Sequence, residues 1–268
     1  MPLCEHYLER GADMLFSSQP RTRYGKAPVH EVICQLRFPT ILAISDGDPF
    51  GFQETIRDEF PQYARRQDVP NHSDGPRQPV ANHHFLSEDG RWRLNLTQDF
   101  IALSTLTYPG WEAFAGRLDR PLAAFIARYR PANFQRVGLR YVNLFSRTQL
   151  GLSDVPWTEL IAPAYTAPLR EPDVTEDRLL SCGCDLAVRL DSSCQARIHT
   201  GLGQVKARSS AEVPQDSEER FILDMDLSMN GSLSGSLAAG ALETVHAHAA
   251  RIFEGVITDR MREAMEPL

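Results

Sequence analysis

No stretch of the 268-residue chain approaches the ~18 consecutive apolar residues that a membrane helix requires. Positive charge is not in excess either: 28 Lys and Arg face 35 Asp and Glu, a formal net charge of −7. An acidic balance exerts no global pull on nucleic acid, although it leaves room for a local basic patch. Cysteine is scarce and odd in number, at positions 4, 34, 182, 184 and 194. An odd set does not read as a disulfide framework, whereas free thiols need no explanation in a reducing compartment. The opening MPLCEHYLERGADMLF carries Glu5, Glu9 and Asp13, where a secretory leader wants a basic start and a continuous apolar run. A cytoplasmic protein with no membrane partner is the expectation. Enzyme signatures are also missing: there is no GxSxG elbow, no HExxH and no Cys–His family signature. Gly201-Leu-Gly203 lacks the third glycine and the following helix of a nucleotide loop. No cofactor is expected.

What is present is a globular composition, 42% hydrophobic and 24% charged, which supports a sizeable core as one large domain or two small ones. Residues 1–27 read as a short helix and a basic, extended lead-in. A strand follows at Val29–Phe38, where His30, Val32, Cys34, Leu36 and Phe38 alternate with Val29, Glu31, Ile33, Gln35 and Arg37. The first set is expected to face the core. Phe52, Ile56, Phe60 and Tyr63 repeat at helical spacing, and the polar, Pro-rich stretch 64–81 reads as a long loop. Three strands are predicted at 82–87, 91–97 and 100–106, with Asp89-Gly90 as a hairpin turn. The helix over 110–130 carries Trp111, Phe114, Leu118, Leu122, Phe125 and Ile126 on one stripe, and Pro121 predicts a kink or break within it. A strand at 134–145 and a mostly irregular region at 146–178 come next. Strands at 179–190, 194–203 and 220–229, the last two separated by a polar loop at 206–219, precede a single helix over about 237–265 with Leu242, Val245, Ala249, Ile252, Phe253, Val256 and Ile257 as its apolar stripe. The expected class is α+β: mostly antiparallel sheets with helices packed on one face, in two related-looking units. The expected division is a lead-in at 1–27, one unit at 28–148 and a second at 149–268.

Four segments in this order carry a resemblance. They are APVHEVICQLRF at 27–38, ALSTLTYPGWEAF at 102–114, RVGLRYVN at 136–143 and FILDMDL at 221–227 before the terminal helix. Together they resemble a sporadically distributed family of uncharacterised prokaryotic proteins of about this length. The resemblance implies no activity and brings no catalytic or binding residues with it. The family's patchy distribution implies accessory or mobile genes, including genome-defence neighbourhoods.

Cys182, Cys184, Cys194 and His199 invite a zinc reading that strand geometry opposes. Residues two apart on a strand sit about 6.6 Å apart along the chain, while two sulfurs on one zinc lie roughly 3.8 Å apart. Leu180, Leu186 and Val188 share the face of Cys182 and Cys184, so buried structural thiols are expected. His83 and His84 point opposite ways on a strand, and His246 and His248 lie about 200° apart on a helix. Neither pair chelates one ion, and no metal is expected. A half-buried His246 and an exposed His248 are expected on that helix.

Asp224 and Asp226 occupy one face of their strand, and Arg136 and Arg140 one face of another. Either two carboxylates hold a Mg²⁺, or they meet those arginines in an ionic layer, or the face contacts a ligand. The candidate binding set is Glu31, Arg37, Arg136, Arg140, Asp224 and Asp226, with no catalytic residue assigned. The leading expectation is a non-enzymatic binding or accessory protein with a protein partner. A small-ligand binder or enzyme using the Asp/Arg cluster is the first alternative. RNA or single-strand binding is the second, weakened because Trp92 and Tyr141 point away from their neighbouring arginines.

Overall fold

The computed structural model describes residues 22–45, 47–68, 79–204 and 218–268. The expected N-terminal helix, Cys4 and most of the loops expected at 64–81 and 206–219 lie outside the described residues. In chain order the elements are β1 (Val29–Arg37), α1 (Leu42–Ser45), α2 (Phe50–Ile56), β2 (Gln62–Asp68), β3 (Val80–Leu86), β4 (Trp92–Leu96), β5 (Phe100–Thr105), α3 (Trp111–Tyr129), β6 (Phe134–Phe145), α4 (Arg147–Leu150), α5 (Trp157–Leu160), β7 (Gly183–Arg189), β8 (Cys194–Gln204), β9 (Glu219–Leu233), α6 (Ala238–Val256) and α7 (Asp259–Ala264). The strands build a large antiparallel sheet, and the class is α+β.

The chain divides into two compact units, neither of them contiguous in sequence. Of the described residues, unit 1 takes 22–28, 143–204, 218–225 and 246–268; unit 2 takes 29–45, 47–68, 79–142 and 226–245. Strands β6 and β9 each give one part to either unit. The strand order in unit 2 is β2-β3-β4-β5-β1-β6-β9, and in unit 1 it is β6-β9-β8-β7.

In unit 2 the alternation of β1 sorts its faces as expected except at His30, which was placed with the core-facing set and is exposed. Val32, Cys34, Leu36 and Phe38 are buried, while Glu31, Ile33, Gln35 and Arg37 are half-buried on the other face. The register sets Cys34 opposite Leu103 and Leu36 opposite Ile101, and Leu103 opposite Leu94, so one apolar surface runs across three strands. Helices α2 and α3 cover it. Phe38 meets Phe125 at 4.6 Å between ring centroids, and Phe52 meets Phe85 at 5.5 Å. Helix α3 runs through Pro121 without the expected break. Pro121 withdraws the N–H that would bond the Arg117 carbonyl. Its ring is buried on the same stripe as Trp111, Phe114, Leu118 and Phe125; that packing outweighs one missing bond.

Strand β2 falls where the sequence reads as helix end and loop. It pairs with β3 from Gln62 opposite Leu86 to Asp68 opposite Val80. As the last strand in its order it is exposed over most of its length, so it shows no apolar alternation to betray it. Asp89-Gly90 makes the predicted turn, with Gly90 at φ +66°, where glycine is favoured.

Unit 1 packs α5, α6 and α7 around Phe145, Cys194, Ala196, Ile198, Phe221 and Leu223, all buried. Phe145 stacks on Phe253 at 5.9 Å, and Trp157 meets Phe221 at 5.7 Å. The single terminal helix of the sequence reading is two helices. At the break Ile257 forms a β-bridge with Ile161, and Thr258 adopts extended dihedrals and caps α7 by accepting the Met261 N–H. Strand β7 is the second place where burial departs from expectation. Cys184 and Leu186 are exposed and Cys182 is half-buried, because β7 is an edge strand. Leu180, placed on the same buried face by the sequence, precedes the strand and is fully exposed.

Candidate functional site

All six candidate residues occupy the strand positions opposite the core-facing ones: Glu31 and Arg37 on β1, Arg136 and Arg140 on β6, Asp224 and Asp226 on β9. Within unit 2 the structure brings Arg136 and Asp226 together, Nη2 to Oδ1 at 2.6 Å, with side chains 23% and 39% exposed. A Cβ on Gly138 would collide with the Arg136 guanidinium, so that glycine lets the arginine lie flat against the strand. Arg37 is not part of this pair; its Nε donates to Gln35 Oε1 at 3.0 Å. Glu31 is half-buried, Arg140 exposed and Asp224 half-buried. Both Arg140 and Asp224 have polar partners.

The same face of unit 2 continues into a polar network that the sequence reading did not assemble. His84 lies opposite Asn95 and Ala64, and Asn82 lies opposite Arg66. Asn95 Nδ2 donates to Asn82 Oδ1 at 3.1 Å and lies 3.3 Å from His84 Nε2; Asn82 Nδ2 donates to Asp68 Oδ2 at 2.5 Å. Asn82 and His84 are buried, while Arg66 and Arg93 at the margins are exposed. Burial first, and then the charges of Arg66 and Arg93, hold the His84 imidazole below its ordinary pKa. A neutral imidazole is what Asn95 requires, since Nε2 must accept its N–H. The signal available in sequence was Asn82, His84, Asn95 and Arg93 at strand positions of one parity, but the β2 contribution was hidden.

On the other face of β3, His83 is buried, with Tyr63 Oη 2.9 Å from Nδ1 and the Ile44 carbonyl 3.4 Å from Nε2. Tyr63 Oη also donates to Asp48 at 3.0 Å. The two adjacent histidines therefore serve two separate networks, as their opposite facing predicts.

In unit 1 the residues of the sequence's zinc reading do not converge. His199 pairs with Asp185 at 2.9 Å on the open face of the β7–β8 hairpin, on the opposite parity from Cys184. Cys182 and Cys184 instead line a cavity of about 280 Å³ with Tyr165, Leu169, Thr200 and Phe221. A different trio does converge. Asp191 in the β7–β8 turn, Cys194 at the start of β8 and His248 on α6 place one ligand atom each within 4.8 Å of one another. Sequence reasoning weighed Cys194 with the wrong partners and expected His248 to be exposed. It is largely buried, its side chain 20% accessible, and it faces Asp191 at 3.4 Å. Burial, and then Asp191, push the Cys194 thiol up to about 12, the opposite of an activated nucleophile. A thiol–imidazole–carboxylate trio of this kind is not a hydrolase triad.

No family model and no curated protein matches the chain.

Proposed function

We propose that the chain is a non-enzymatic binding protein that recognises an acidic protein surface through the polar sheet face of unit 2. One observation carries this reading. Exposed Arg66 and Arg93 flank a pre-bonded Asn82–Asn95–His84 ladder, and among the described residues neither arginine has a carboxylate in ion-pair contact. Side chains held by mutual hydrogen bonds need little reordering on binding, which keeps the entropic cost of recognition low. Arginine forks suit carboxylates through paired N–H donors. A catalytic role has less to stand on, because burial holds the His84 pKa below its ordinary value and its Nε2 is engaged by Asn95. The accessory-gene setting implied by the motif resemblance fits a partner-binding role.

The test is binding to immobilised polyglutamate and to single-stranded RNA by the wild type and by an Arg66→Glu/Arg93→Glu variant of unchanged melting temperature. Salt-sensitive capture by polyglutamate alone, lost in the variant, supports the reading. Capture by RNA with the same loss moves the function to nucleic acid. Equal capture of both by wild type and variant removes this face from any recognition role.

A further inference from the structure

We propose that Asp191, Cys194 and His248 form a three-ligand site for a divalent ion of the zinc class, with the fourth position open to water. The inference concerns unit 1 and is independent of the sheet face above.

The donor set is the first argument. A thiol, an imidazole and a carboxylate are the three side chains that zinc accepts, and catalytic or exchangeable zinc sites use three protein ligands and one water. Soft sulfur beside imidazole selects against Mg²⁺ and Ca²⁺, which want oxygen. With a thiolate and a carboxylate bound, a divalent ion leaves a site of zero net charge.

Distance is the second argument. In tetrahedral geometry an imidazole nitrogen and a carboxylate oxygen on one zinc lie about 3.4 Å apart, and the sulfur lies about 3.6 Å from either. His248 Nε2 and Asp191 Oδ2 stand 3.4 Å apart. That is too long for a good charge-assisted hydrogen bond, which closes to about 2.7–2.9 Å, and it matches a pair spanned by an ion. The sulfur is within 4.8 Å of both, so about 1 Å of side-chain adjustment closes the set.

The third argument is the orientation of Asp191. Its Oδ1 accepts N–H bonds from Ser193 and Cys194, both at 2.7 Å, and the Ser193 hydroxyl at 3.1 Å. These bonds fix the tight turn between β7 and β8 and lock the carboxylate. Its second oxygen, Oδ2, is the one turned to His248. Turn formation and metal binding therefore use different oxygens of one residue, and the turn supplies the outer hydrogen bonds that orient a metal-binding carboxylate. Ligand residues from a hairpin turn and from α6 would be clipped together by the ion.

The experiment titrates purified full-length chain with Co²⁺, reading the thiolate-to-cobalt absorption, and then with Zn²⁺ in competition with a chromophoric chelator. A Cys182→Ser/Cys184→Ser background removes the half-buried and the exposed thiol that line the nearby cavity. One tetrahedral cobalt per chain, displaced by one zinc, is expected. Asp191→Asn keeps an oxygen for the turn and removes the ligating one, so it should lower zinc affinity at least tenfold without altering the hairpin's hydrogen-exchange protection. His248→Gln should do likewise, and Cys194→Ser should abolish the absorption band. Absence of that band in the background protein overturns the site. So does an affinity unchanged by Asp191→Asn and His248→Gln, even if Cys194→Ser fails to fold.

Discussion

Glu254 has a side chain only 2% exposed, with Arg262 Nε 3.2 Å away and the Tyr24 hydroxyl donating to it at 2.8 Å. Burial, reinforced by that hydrogen bond, raises the Tyr24 pKa, so the phenol stays a donor. Removing one partner of such a buried set leaves an uncompensated charge. Arg262→Met is expected to cost about 3–5 kcal/mol in urea unfolding, and Glu254→Leu/Arg262→Met to recover part of it. A single variant as stable as the wild type would defeat the argument. The Arg136–Asp226 pair is half-exposed and worth less: Arg136→Ala should cost about 1 kcal/mol, with a coupling of similar size in the cycle with Asp226→Ala. Histidines set the acid side of stability. His83, His84 and His248 all have pKa values lowered, first by burial. The unfolded chain therefore binds protons that the native state refuses, so stability is complete above about pH 6.5 and falls as pH drops below it. Arg93→Ala removes one of the charges acting on His84 and should make that fall shallower. Melting temperatures between about pH 7.5 and about 5 check this, and a rise on acidification would contradict it.

At the scale of elements, legibility followed alternation and stripes. Strands β1, β4, β6, β8 and β9, and helix α3, were readable because each has one buried face and a period that shows it, whereas β3 and β5, buried on both faces, were readable as short runs bounded by turn residues. Strand β2 was missed, and β7 was read as a strand but with the wrong burial, for the same reason inverted. They are edge strands exposed on both faces, so β2 looked like a loop and β7 was given a burial it lacks. The candidate site divides likewise. Opposite parity put Arg136 and Asp226 on polar faces, and one pairing was legible from that. The Asp191–Cys194–His248 trio needs a helix about 50 residues downstream to lie beside a hairpin, and no local period encodes that. The break between α6 and α7 was written in the chain as Thr258-Asp259, a cap with an acid at the first helical position, hidden inside an apolar stripe. Of that stripe, Ile252 and Val256 are buried as expected, while Phe253 is only half-buried. Thr258 also donates to the Glu159 carbonyl at 2.8 Å, so it ties α7 to α5 as well as capping it. Thr258→Ala should cost about 1–2 kcal/mol and Thr258→Ser much less. Equal losses in the two variants would show that the methyl group, not the hydroxyl, matters.

For the molecule as a whole, the decisive fact is that neither unit is a contiguous stretch of chain. Unit 1 draws on residues 22–28, which bond the C-terminal residues through Gly25 N to Glu266 O, Lys26 N to Met265 O and Leu268 N to Arg23 O. It also needs the end of β6, where buried Phe145 stacks on Phe253 and meets Phe221. Unit 2 needs residues 226–245, which bring Asp226 to Arg136 and Glu243 to the Trp111 indole at 2.8 Å. A fragment cut where the sequence suggests a boundary, residues 149–268, therefore keeps α5 to α7 and β7 to β9 but loses Phe145 and the Tyr24 segment. Exposing a packed aromatic core and depriving Glu254 of its tyrosine donor removes several kcal/mol from a fold whose whole stability is expected to be about 5–15 kcal/mol. We expect this fragment to show no cooperative melting transition, and a chain ending at residue 240 to fail in the same way, since it lacks buried Ile252, Val256, Met261 and Met265. Co-expression of 1–148 with 149–268 should restore a transition, because every segment of both units is then present. A sharp melt from 149–268 alone would mean that the second half folds without the first, and that the interleaving of the two units is not required for stability.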